Sequence, residues 1–199
     1  MNIYANNQAF VPPDGVTVAD AIDAMQTADP DRLIVAIRLD GAEVGEADLV
    51  DVLKLPLAEP GRLDIEYDSA RKLTAQALGE AALMLEPARD DYVVIATHLA
   101  CGRTGEAMER LNDCFSLWNT VEQALRQSRA GGVDLDAPLP DATAPAVCIE
   151  QLGKVLRAIQ EALGRHDFVD VADLVEYDLL NVTDTWQAML VAAQRSLLG

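Results

Sequence analysis

The stretch FVDVADLVEYDLLNVTDTWQAMLVAAQRSL, Phe168 to Leu197, decides how the rest of the chain is read. Phe168, Ala172, Val175, Leu179, Val182, Trp186, Met189, Ala193 and Leu197 follow one another at steps of four and three that alternate as far as Ala193 and end on a further four, which keeps one apolar seam along a helix. At the usual rise per residue the segment makes about eight turns. Asp170, Asp173, Glu176, Asp178, Asp184, Gln187 and Arg195 occupy its other faces, so one stripe is to be buried and the rest stays wet. A long helix with one seam predicts partners of the same kind.

Working back from this helix, three more seams appear. From Ala146, the residues Ile149, Leu152, Leu156, Ile159 and Leu163 share a face, and Gly164-Arg165-His166 is a short turn into Phe168. Ala107, Leu111, Cys114, Trp118, Val121 and Leu125 form a seam that Gly131-Gly132 closes. Between these two helices, Val133 to Pro145 contains three prolines, three aspartates and no periodicity, and reads as a loop. A fourth seam runs from Leu73 to Leu99 behind a Ser69 cap, with Pro87 inside it. Proline removes a backbone donor and clashes with the preceding turn, so a kink or break is expected between Leu83 and Asp90. Four seams joined by two short connections and one loop predict an antiparallel four-helix bundle over residues 68–199.

Residues 1–67 have a different rhythm. Met1 to Tyr4 and Ala9 to Val11 alternate as strands around the turn Asn6-Asn7; Thr17 caps a helix with Val18, Ala21, Ile22 and Met25 on one face. Leu33 to Leu39 is a strand stopped by Asp40-Gly41, an irregular stretch follows, and Arg62 to Tyr67 is a last strand. Two strands, a helix, a strand, an irregular stretch and a strand is the order of a β-grasp domain. The opening MNIYANNQAF, Thr17-Val18, the strand ending in Asp40-Gly41-Ala42-Glu43-Val44, and Gly61-Arg62-Leu63-Asp64-Ile65 resemble the ThiS and MoaD sulfur carriers, small ubiquitin-like proteins. The resemblance implies a fold. Sulfur carriers end in a Gly-Gly whose carboxylate is activated, whereas here the strand continues through Tyr67-Asp68-Ser69 into a helix, and Ser196-Leu197-Leu198-Gly199 carries a single glycine, so the carrier chemistry does not transfer. The expected fold class is α+β: an N-terminal β-grasp (ubiquitin-like) domain followed by a C-terminal antiparallel four-helix bundle. A strand running directly into a helix predicts a fixed orientation of the two.

Charge narrows the partners. The chain has 33 acids against 15 Lys plus Arg, a formal net charge of -18, with 13 acids against 4 bases in residues 1–67 and 20 against 11 in the remainder. Nucleic acid and anionic membranes, which need local positive charge, are therefore not expected as partners. Half the chain is apolar, enough for a sizeable core, yet no apolar run approaches the roughly 18 residues of a membrane helix. The first residues lack the basic and apolar regions of a signal peptide, which predicts a cytoplasmic protein. Cys101, Cys114 and Cys148 are widely spaced without a CxxC pair and read as buried reduced thiols.

Chemistry-bearing patterns are few. Asp167, Asp170, Asp173 and Glu176 step by three along the last helix, but no E-x-x-H accompanies them and they flank the seam rather than enter it, so they read as a solvated face. His98 and His166 lie far from any cysteine in sequence. Neither GxxxxGK[ST] nor GxGxxG occurs, and Trp118 and Trp186 fall on seams. No cofactor, metal or catalytic residue is expected from the sequence. The acidic edge Asp170, Asp173 and Glu176 beside Tyr177 suits a partner's Arg or Lys, with Tyr177 as anchor. The leading expectation is a non-enzymatic cytoplasmic protein-binding module, an adaptor or a chaperone for a basic or amphipathic protein partner. At fold level it resembles the flagellar and secretion export chaperones, which bind amphipathic client segments. The alternative is an enzyme or small-molecule receptor with its pocket between the β-grasp domain and the bundle. Wide seams, Cys114 with Phe115 and Met189 with Leu190, leave room for a homodimer under either reading.

Overall fold

The computed structural model describes residues 1–12, 17–130, 134, 139 and 142–198. Pro13, Asp14 and Gly15, the Gly131-Gly132 helix stop and most of the Val133–Pro145 loop lie outside the described residues. The fold is mixed α+β, a sheet followed by helices, and the chain divides into two compact units, Met1–Leu73 and Thr74–Gly199.

In the first unit the elements are β1 Asn2–Ala5, β2 Gln8–Phe10, α1 Val18–Ala28, β3 Arg32–Leu39, β4 Ala42–Glu43, α2 Glu46–Leu53 and β5 Arg62–Ser69. Among the described residues the strands make one five-stranded sheet in the order β2-β1-β5-β3-β4, with β1 parallel to β5 and the other pairs antiparallel. The β1–β2 turn places Asn6 and Asn7 at φ 47° and 65°, a left-handed pair that asparagine tolerates. The Asn6 side chain fastens that turn to β5: its Nδ2 donates to the Tyr67 carbonyl at 2.9 Å, and the Tyr67 N–H donates to its Oδ1 at 3.0 Å. Thr17 and Asp20 form a reciprocal capping box that starts α1. Val18, Ala21, Ile22 and Met25 then bury against Ile37, Leu63 and Ile65. The alternate β5 residues Arg62, Asp64 and Glu66 form a charged face: Arg62 pairs with Asp64 and lies 4.3 Å from the Tyr4 ring, and Arg38 pairs with Glu66.

The stretch expected to be irregular contains β4 and α2. Both are short, and α2 buries only Val52, so its pattern is too brief to announce a helix.

In the second unit, α3 Ala70–Met84, which begins at the end of the first, is followed by α4 Ala88–Ala100, α5 Thr104–Ala130, α6 Pro145–Gly164, α7 Phe168–Asp173, a π-helical segment Leu174–Leu179 and α8 Leu180–Leu198. The proline break expected between Leu83 and Asp90 falls at residues 85–87, so α3 and α4 are separate helices. α4 packs against α5, α7, the π-helical segment and α8, and α6 packs against the last three. Burying Tyr92, Ile95, Leu111, Leu125, Ile159 and Trp186 gives this unit its core, each large side chain contributing about 1.5–3 kcal/mol. Trp118 and Trp186 meet edge to face at 5.4 Å and 79°. Among the described residues no helix is long and apolar enough to cross a membrane.

Candidate functional site

The last helical run departs from the expected single α-helix at Leu174–Leu179, and the cause is legible in what is buried. Val171, Val175, Leu179 and Thr183 are all fully buried at uninterrupted steps of four. In a regular α-helix each step of four overshoots one turn by about 40°, so such a run would spiral away from its partners. The wider turn of a π-helix, bonded i to i+5, absorbs that drift and keeps all four side chains facing inward. The seam is therefore Val171-Val175-Leu179-Thr183 here, and Phe168 and Ala172, expected on it, are partly exposed beside it.

Straightening the buried stripe straightens the outer one. Val169, Asp173, Tyr177 and Asn181 are exposed, again at steps of four, with Val169 74% and Tyr177 59% accessible. An aliphatic side chain, a carboxylate and an aromatic ring thus stand on successive turns of one surface. Exposed Asp178 and partly exposed Asp170 and Glu176 flank them.

The four residues singled out from sequence do not behave alike. Asp170 belongs to the start of α7: its N–H donates to Asp167 Oδ1 at 3.1 Å, and its own carboxylate pairs with Arg165 at 2.9 Å. It is held in place by these contacts. Asp173, Glu176 and Tyr177 have no ion pair or side-chain hydrogen bond among the described residues, so two carboxylates and a phenol are uncommitted within the described structure. Val169, which sequence reasoning passed over, completes the surface; a valine off the seam gave no signal of its own.

Behind this surface lies a buried polar chain. Trp118 Nε1–H donates to Tyr92 Oη at 3.2 Å, Tyr92 and Thr183 Oγ1 are 2.9 Å apart, and Thr183 Oγ1 donates to the Leu179 carbonyl at 2.8 Å. Since Thr183 gives its proton to Leu179, Tyr92 donates to Thr183, and every member is satisfied. Burial raises the Tyr92 phenol far above its ordinary value, so it stays a neutral donor. Trp186 Nε1–H donates to the Cys148 carbonyl at 3.0 Å.

Between α5 and α6 a cleft of about 360 Å³ opens beside this chain. Phe115, Trp118, Leu152, Leu156 and Leu163 line it, with Asn119, Glu122 and Gln160 as its polar groups. Glu122 pairs with Arg126 at 2.6 Å. The sequence showed Phe115 and Trp118 as packing residues, and a gap between helices carries no periodic signal.

The remaining chemistry-bearing residues are scattered. Among the described residues no three His, Cys, Asp or Glu side chains gather in a way that could hold a metal ion. His98 is largely buried near the α4–α5 turn with Nδ1 3.6 Å from Glu106, and His166 sits at φ 56° in the α6–α7 turn, its ring edge-on to Phe168 at 6.3 Å. All three cysteines are free; Cys114 and Cys148 are buried, but Cys101 is exposed at the end of α4, contrary to a reading of all three as buried. Burial pushes the Cys114 thiol up to about 11 and raises that of Cys148, which keeps both protonated and poor nucleophiles at neutral pH.

No curated protein and no solved structure matches this chain. A family model described as Domain of unknown function (DUF8042) matches residues 80–189, more than half of the sequence. That span holds α4, α5, α6 and the π-helical segment with Tyr177, and the chain belongs to this DUF8042 family.

Proposed function

We propose that the chain is a non-enzymatic cytoplasmic protein-binding module, adaptor- or chaperone-like, that docks a basic amphipathic segment of a partner on the outer stripe of its last helix. One observation carries the reading: the π-helical turn brings Val169, Asp173 and Tyr177 into line at successive turns, with Glu176 and Asp178 beside them. Apolar partner side chains would pack on Val169 and on Tyr177, and Lys or Arg between and beside them would meet carboxylates that have no cation of their own among the described residues. π-helical turns are rare and frequently fall at functional sites, which agrees with the alignment.

The fold reading behind this proposal is a β-grasp domain joined to a four-helix bundle. What supports the first is the order β2-β1-β5-β3-β4, with β1 parallel to β5 and α1 buried on one face. What supports the second is one continuous core shared by α3, α4, α5, α6 and the C-terminal run, with α3 and α4 standing as the two halves into which the proline break divides one expected helix.

The test is affinity capture from the native host with tagged wild type, Tyr177→Ala, and the double variant Asp173→Asn/Glu176→Gln, followed by mass spectrometry. A stoichiometric partner recovered by the wild type and lost from both variants is the expected result. Equal recovery by all three, or no stoichiometric partner with the wild type, overturns the proposal.

A further inference from the structure

We infer that the cleft between α5 and α6 binds a small organic cation, a protonated amine carried on an apolar body. Its volume of about 360 Å³ lies within the range of small-molecule sites. The lining is mostly apolar and includes the aromatic rings of Phe115 and Trp118. The Trp118 N–H is committed to Tyr92 on the core side, so the ring is fixed in place and offers the cleft no unsatisfied donor that would compete with a cation. Aromatic faces attract cations through their quadrupole, best at tryptophan.

The charge at the mouth agrees. Among the described residues that line the cleft Glu122 is the sole ionisable one, and its side chain is about two-thirds buried. Its partner Arg126, one helical turn on, is mostly exposed and donates from its Nε at 3.2 Å and from a terminal nitrogen at 2.6 Å to Glu122 Oε1, which leaves Oε2 to accept from a ligand's ammonium. Asn119 and Gln160 add amide oxygens that accept from an ammonium N–H. The net charge of -18 favours a cation over a neutral ligand and repels an anionic one of the same shape.

The site is separate from the outer stripe of the last helix, so its failure leaves that proposal standing. Isothermal titration calorimetry of the full chain with n-octylammonium, 1-octanol and octanoate tests it, with Trp118 emission as a second readout. Octylammonium is expected to bind at least tenfold more tightly than octanol and to shift the emission, with no binding of octanoate. Glu122→Gln, an alteration at the rim, should reduce octylammonium to the affinity of octanol and leave octanol unchanged. Leu156→Trp, checked for retained helicity by circular dichroism, should abolish both. Equal binding of the three ligands, no binding to the wild type, or unchanged octylammonium affinity in Glu122→Gln would overturn the assignment.

Discussion

Tyr92 is where one oxygen has the largest consequence for stability. It accepts from Trp118 and donates to Thr183, so removing it leaves an indole N–H buried without a partner. Tyr92→Phe is expected to cost about 1–3 kcal/mol, the penalty for an orphaned buried donor. Thr183→Val, which keeps the shape but removes the acceptor, should cost a similar amount, and the double variant less than the sum, because both act on one chain of bonds. Urea midpoints at unchanged slope would measure this. The cysteines offer a second check. Exposed Cys101 should react with a thiol reagent in the native protein, while Cys114 and Cys148 react only on unfolding. The sign for Cys114 follows from its raised value: the folded state holds the proton more tightly, so its contribution is fully present below the unfolded thiol value of about 8.5 and is lost as pH rises toward about 11.

Elements were legible in proportion to their length and regularity. The seam Ala107 to Leu125 and the capping signal at Thr17 are strong patterns, and both are where the sequence placed them. Two features were hidden for physical reasons. α2 is too short and too exposed to show a period, and the π-helical turn was masked because Val175, Leu179 and Val182 also satisfy an ordinary seam of threes and fours. The signal that would have found it is the run Val171-Val175-Leu179-Thr183, three successive steps of four without a three, in which a buried threonine stands for an apolar residue. Candidate site residues were read in part: Tyr177, Asp173 and Glu176 are available, but Asp170 is tied to Arg165 and Val169 was missed. Asp167 caps α7 through the Asp170 N–H, so Asp167→Ala should lower stability by about 1 kcal/mol, measured by thermal or urea unfolding. Tyr177→Ala, by contrast, should change stability by less than about 0.5 kcal/mol, since the ring is exposed.

At the scale of the whole molecule, charge governs the outcome. Arg62 holds the Asp64 carboxyl below its ordinary value, and the Ser69 N–H and Lys72 do the same for Asp68. Both are depressed in the folded state, so their contribution is present above the unfolded aspartate value of about 3.9 and is lost as pH falls below it. Acid titration followed by nuclear magnetic resonance should show both carboxyls titrating below the ordinary aspartate value of about 3.9. An excess of carboxylates also implies that binding to a basic partner weakens as salt is raised from about 0.05 to about 0.5 M, because screening shortens the reach of the charges. The most direct test of the central claim is hydrogen–deuterium exchange of the chain with and without its captured partner. Docking on the outer stripe predicts slowed exchange on binding concentrated in residues 168–178. Protection confined to Met1–Leu73, or no change in residues 168–178, would contradict it.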